Sequence, residues 1–184
     1  RQMCIRDRFK PGYSLSDHIN RKNLIQTEPT KKNKVWSTDI IYIPTQQGWA
    51  YLSTIIDRYT KKVIAWDLGK RMTVELVQRT LNKAIKSQDY PEAVILHSDQ
   101  GSQYTSKEFN EFCEKNFVQQ SMSRAGCPYD NAPMERFYNT FKNEFYNLYS
   151  FASDVDLDQK TLEFIYGKYN HKRPHTHNGG RTPH

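Results

Sequence analysis

The chain has 184 residues, 36% of them apolar and 13% aromatic, and a formal net charge of +7. That length suits one globular domain with short extensions and excludes a second large one, and the apolar content is enough for a core. Its apolar stretches are too short for a membrane span and no secretory signal pattern is present. Cys4, Cys113 and Cys127 are odd in number and match no zinc spacing, so free thiols in a reducing cytoplasm are expected.

Taken in chain order, RQMCIRDR has no periodicity and resembles translated sequencing-adapter read-through, so no functional residue is placed there. Residues 1–34 hold nine Lys or Arg against three Asp or Glu and read as a basic arm or linker. VWSTDIIYI, WAYLSTIID and KKVIAWDL, divided by TQQG and RYT, predict three strands in an antiparallel meander. TVELVQRTLNKAIKSQ spaces Val74, Val77, Leu81 and Ile85 as a helix with Thr73 as cap. AVILHSD predicts a short buried strand, SKEFNEFCEKNF a helix capped by Ser106, and VQQSM a brief strand. SRAGCPYDNAP is a loop able to close over a substrate, leading into a helix from Pro133 to Tyr149. A last helix is expected from Asp154, its cap, to Tyr169.

This order predicts an α/β domain with a mixed sheet flanked by helices: a core over 35–170 and a basic C-terminal tail over 171–184. The two ends carry +6 (1–34) and +4 (167–184) of the +7, which leaves −3 on the body between them. Basic ends on an acidic body suit an enzyme that grips a polyanion and collects cations at its centre. Solvated tails are the plainer alternative.

Asp39 lies within the first strand, Asp99 closes the fourth, and Glu135 opens the helix after the loop. Mg²⁺ and Mn²⁺ take hard oxygen ligands and keep several waters, so a few carboxylates can hold two ions over a phosphodiester. Each residue alone has an ordinary reading, Asp39 as a strand-edge Asp and Asp99 as a turn cap. If the first and fourth strands are neighbours, the two meet. Glu135, Asn139 and Lys142 share one helix face, so Lys142 is a candidate for a DNA phosphate or base edge, with an ordinary exposed Lys as the alternative.

Arg136 faces elsewhere, with solvent or DNA as its partner. His97, Gln103 and Tyr104 flank Asp99 and are candidates for DNA or water contact. A structural hydrogen bond is the alternative for His97, and packing against the next helix for Tyr104. Asn131 is read as capping or shaping the Glu135 helix, and Asp57 as a turn former. His171, His175 and His177 do not form a zinc pattern, because Pro174 interrupts them and no Cys is near. Lys172 and Arg173 are read as tail residues near DNA phosphates.

These residues together resemble the DDE transposases of bacterial insertion sequences, whose catalytic core is similar to that of retroviral integrase. The resemblance spans Arg21 to His184. It rests on WSTDI, HSDQGSQY, SMSRAGCPYDNAPMERF, YNHKRPH and NGGRTP, and on the thirty-five residues between Asp99 and Glu135. It implies a ribonuclease H-like fold with a five-stranded sheet, with Asp39, Asp99 and Glu135 as catalytic ligands of two Mg²⁺ or Mn²⁺ ions. It also implies 3′-end cleavage and strand transfer on double-stranded DNA, a homo-oligomer on that DNA, a bacterial cytoplasm, and an upstream helix-turn-helix segment that is not recognisable here. Arg181 departs from the family's usual apolar residue, which puts the packing of the tail in question. The rival readings are a ribonuclease H-like nuclease that only hydrolyses, and a catalytically silent DNA-binding module.

Overall fold

The structure, a computed structural model, describes residues 22–184. Cys4, the RQMCIRDR opening and the basic arm before Lys22 lie outside the described residues. Val35–Thr45 forms β1, Gly48–Asp57 β2 and Val63–Gly69 β3, each rich in the β-branched and aromatic residues that suit a pleated surface. Gly48 turns the first hairpin at φ +109°, a backbone region that strongly favours glycine. Asp57 makes the next turn, as expected, accepting from the Thr60 backbone N (2.7 Å) and from Asn33 N (2.6 Å).

Helix α1 (Val74–Ser87) buries Leu76, Val77, Leu81, Ala84 and Ile85. Thr73 stands at its N-cap position, but its hydroxyl makes no capping bond to the helix. Then follow β4 (Val94–Ser98), a short α2 (Ser102–Thr105) that the sequence did not signal, α3 (Lys107–Lys115) and β5 (Val118–Met122). Ser106 caps α3 as expected, its Oγ accepting from Phe109 N at 3.1 Å. Helices α4 (Ala132–Glu144) and α5 (Asp154–Leu162) complete the set.

The five strands form one mixed sheet in the order β3-β2-β1-β4-β5. β1 is central, antiparallel to β2 and parallel to β4. Alternation along the strands sends neighbours to opposite faces. Ile55 joins a core with Trp36, Val77, Leu81, Leu96 and Phe109 under α1 and α3, whereas Ile56 joins Ile43, Leu52, Phe137, Phe141 and Phe164 under α4 and α5. Among the described residues, Cys113 is buried and Cys127 half-buried, and no helix is long and apolar enough to cross a membrane.

Two helix expectations are corrected. Helix α4 stops at Glu144 instead of Tyr149, and a 3-10 turn over Tyr146–Leu148 follows. The break at Phe145 lets its ring pack on Phe141 (centroids 4.9 Å apart) and Phe151 (5.6 Å). The last helix is capped by Ser153, not Asp154, with Ser153 Oγ accepting from Asp156 N at 3.2 Å. It then widens into a π-helix over Glu163–Asn170. The wider turn brings residues five apart onto one side, and the buried pairs are Phe164 with Tyr169 and Ile165 with Asn170.

The tail packs back on the body instead of extending from it. His184 N donates to Asn170 O (3.1 Å), Asn178 Nδ2 donates to Thr60 O (2.8 Å), and Pro183 is buried. Arg181 points into solvent, so its departure from an apolar residue does not disturb this packing.

Asn170 is fully buried and acts as an added rung on β3, its Oδ1 accepting from Val63 N (3.0 Å) and its Nδ2 donating to Val63 O (2.9 Å). Asn170→Ala orphans both backbone groups. The expected loss is about 2–4 kcal/mol, read as a lower urea midpoint at unchanged slope.

Candidate active site

The parallel pairing of β1 with β4 aligns the two aspartates. Ser37 is opposite His97 in the register, so Asp39 and Asp99 each stand two residues beyond the same rung, at the end where the two strands part. β1 continues past that point and β4 does not. Asp39 Oδ1 there accepts from Ile40 N at 2.7 Å, and Asp99 Oδ1 from Gly101 N at 3.0 Å. A Cβ on Gly101 would lie 3.0 Å from both Asp99 Oδ1 and Gln103 Oε1. Only a residue without a side chain leaves the Asp99 carboxylate where it is.

Glu135 is in the first turn of α4, with Lys142 near its end, and both are exposed. Burial pushes the half-buried Asp39 carboxyl up to about 6. The Ile40 amide and Lys142 oppose that rise, and the charges of Asp99 and Glu135 add to it. These four side chains therefore form one electrostatic group. Among the described residues no three His, Cys, Asp or Glu side chains already converge closely enough to hold a metal ion. As donors the three carboxylates suit a hard divalent cation, and their mutual repulsion is what such a cation relieves.

Hydrogen bonds on both faces of the sheet fix β1 at this point. Tyr138 Oη, from α4, donates to Asp39 O at 2.7 Å. Asn131, at the N-cap position of α4, donates through Nδ2 to Thr38 O at 3.2 Å. This matches its expected shaping role, although its side chain makes no capping bond to the helix. From the opposite layer Tyr104 Oη pairs with Thr38 Oγ1 at 3.2 Å. Burial raises the pKa of both phenols well above the usual value, so both stay protonated.

The remaining candidates separate. Gln103 lies beside Gly101, and its Nε2 donates to Met72 O (3.3 Å). Arg136 is exposed, but its charge acts on Lys61, Tyr169 and His177, on the tail side of the molecule. Arg173 Nε is paired with Glu144 at 2.8 Å, while Lys172 is exposed.

His97 and Tyr104, expected as DNA contacts, are buried. The His97 ring bonds Ser121 Oγ (2.9 Å) through Nδ1 and Ser123 Oγ (3.0 Å) through Nε2. Burial and the nearby Arg58 push its pKa down to about 4, so the ring is neutral and has no free nitrogen to offer DNA. Both residues are structural here.

Arg58 was not signalled by the sequence. The residue is 5% exposed and its guanidinium ties three segments together, donating to Asp130 O (3.1 Å), Ser37 Oγ (3.4 Å) and Glu28 Oε1 (2.7 Å). The loop before α4 is braced by the Arg124–Asp130 ion pair, with Arg124 Nη2 3.1 Å from Asp130 Oδ1 and Arg124 N donating to Oδ2 at 2.9 Å. Tyr138 carried the better signal, since it brings a hydroxyl among Met134, Phe137 and Phe141 on the buried side of α4 while following Glu135 by three residues.

Two models of the family described as integrase core domain match the chain, over residues 29–128 and 116–183. A 31 kDa protein of insertion element IS600 from Shigella sonnei is 41% identical over 155 residues, 84% of this chain and 57% of its own length. The transposase of insertion sequence element IS904 from Lactococcus lactis is 40% identical over 169 residues, 91% of this chain and 65% of its own length. The chain thus spans less than two thirds of either relative.

Among solved structures, the simian T-cell lymphotropic virus intasome aligns with a TM-score of 0.71 at 19% identity, over 89% of this chain and 57% of that one. The HTLV-2 integrase catalytic core domain in complex with magnesium aligns with a TM-score of 0.58 at 17% identity, over 84% and 95%. At these identities the likeness is one of fold, and the fold is ribonuclease H-like.

The raised pKa of Asp39 sets a pH test. An unfolded Asp titrates near 3.8 and the folded one near 6, so the folded state favours the neutral carboxyl. That contribution to stability is present below about pH 4 and is lost as pH rises through 6. In EDTA, Asp39→Asn is expected to melt above the unsubstituted chain at pH 8 and level with it at pH 3.5. Equal melting at both pH values would refute the shift.

Proposed function

The chain belongs to the integrase core domain family, and from that membership we propose that it is the catalytic core of an insertion-sequence transposase. It would cleave the 3′ ends of its element and join them to target DNA. One observation supports the reading: Asp39, two residues beyond the rung that aligns it with Asp99, feels the charges of both Asp99 and Glu135. Neighbouring carboxylates of which one is strongly shifted mark a functional-site candidate.

Asp39, Asp99 and Glu135 would hold the ions, two Mg²⁺ or Mn²⁺. Held there, such ions would supply the charge that activates an attacking hydroxyl and neutralises the leaving oxygen of an in-line displacement. Asp39 must lose its proton to serve as a ligand, so metal affinity should rise with pH through about 6. Lys142, on the same helix as Glu135, would meet a phosphate of the DNA, and Gln103 would flank it beside Asp99. Arg136 and Lys172 would contact the backbone farther along, and Arg173 only by giving up Glu144. A similar fold occurs in a viral intasome and in a magnesium complex, which supports DNA, a multimer on that DNA and Mg²⁺ as partners. Residues 35–170 would be the catalytic core, working in a bacterial cytoplasm beside an upstream helix-turn-helix segment.

The test is a Mn²⁺- or Mg²⁺-dependent disintegration assay on branched DNA, the reverse of strand transfer, which demands least of end recognition. The expected result is product from the chain and a loss of at least about a hundredfold in Asp99→Asn. Nicking without resealing would favour the hydrolase, and equal activity of Asp99→Asn would remove Asp99 from the site.

A further inference from the structure

Two side chains of α4 reach across to β1, and they straddle Glu135. Asn131 donates to the carbonyl of Thr38, and Tyr138 to the carbonyl of Asp39. Tyr138 follows Glu135 by three residues and so lies on the same side of the helix. Its 2.7 Å bond lands on the residue that carries the other carboxylate. The second acceptor, Leu52 O, is 3.4 Å away, so the single phenolic proton belongs to Asp39 O. The ring is 4% exposed and packs against Phe137 at 5.3 Å between centroids. Packing of the ring thus holds the hydroxyl toward β1.

We infer that Tyr138 is a positioning residue whose hydroxyl sets the separation between Asp39 and Glu135, and so the spacing of the metal site. Asp39 is joined to α4 through its backbone, which leaves both carboxylate oxygens for Ile40 N and for an ion. Phenylalanine would fill the same space without the bond. The strand could then shift relative to the helix, changing the distance between ligands while the core stays packed. Partners that orient ligands in this way typically affect metal affinity by tenfold or more.

The inference rests on reading Asp39 and Glu135 as metal ligands, and the experiment separates the two claims. Mn²⁺ binding to the full chain is measured by electron paramagnetic resonance, without DNA, for the unsubstituted chain and for Asp39→Asn, Tyr138→Phe, Glu135→Gln and the Tyr138→Phe/Glu135→Gln pair. Tyr138→Phe is expected to weaken Mn²⁺ binding roughly tenfold with little change in melting temperature. Added to Glu135→Gln, it should cost nothing further, because no spacing to Glu135 remains to be set. A Tyr138→Phe variant that binds Mn²⁺ normally would overturn the inference, as would an equal loss in both backgrounds, which marks a merely structural hydroxyl. Asp39→Asn binding as tightly as the unsubstituted chain would instead overturn the metal-site reading.

Discussion

Gathering Asp39, Asp99 and Glu135 at one end of the sheet is the constraint on which the surrounding structure depends. Burial of the Asp39 carboxyl disfavours its charge first, and the neighbouring charges of Asp99 and Glu135 add to that cost; together they raise its pKa to about 6. The arrangement persists because the elements that carry the charges are held elsewhere. β1 is central in the sheet, and α4 is anchored by burying Met134, Phe137, Tyr138 and Phe141. Apolar burial on both faces supplies the free energy that the charged end gives up.

Polar contacts then decide where within that packed frame the charges sit. Thr38 and Asp39 are approached by Tyr104 from one layer and by Asn131 and Tyr138 from the other. A buried hydroxyl or amide that loses its partner is costly, so each of these contacts resists sliding of β1 past its neighbours. The His97 ring, bonded at both nitrogens, does the same for β4 and β5.

The segment before β1 takes part in this frame. Leu24 N donates to Ser121 Oγ, the hydroxyl that also meets His97. Glu28 pairs with the buried guanidinium of Arg58, whose other contacts are Ser37 and the carbonyl of Asp130. A buried guanidinium is tolerated only when paired and hydrogen-bonded. Residues read from composition as a linker thus reach behind the strand of Asp39 and the turn that leads to Glu135.

Periodicity made β1, β2, β3, α1, α3 and β5 legible, because a half-buried strand or helix writes its buried face into the spacing of apolar residues. The three carboxylates stood out as candidates by their motifs and mutual spacing. The sequence did not reveal where α4 ends or that the last helix widens, since both depend on how Phe145, Phe164 and Tyr169 meet in a shared aromatic core. His97 and Tyr104 were candidates for DNA contact by their nearness to Asp99, with structural roles as the alternative, and adjacency along a chain does not say which side of a sheet faces solvent. Residue order alone determined most of the strands and helices and the family pattern, and it singled out the three carboxylates as candidates. Only the tertiary structure decided that the Ser37–His97 rung aligns Asp39 with Asp99, that Tyr138 grips the backbone of Asp39, and which polar neighbours are buried. Register and burial arise from packed layers whose contacts are distant in sequence, and no local spacing encodes them.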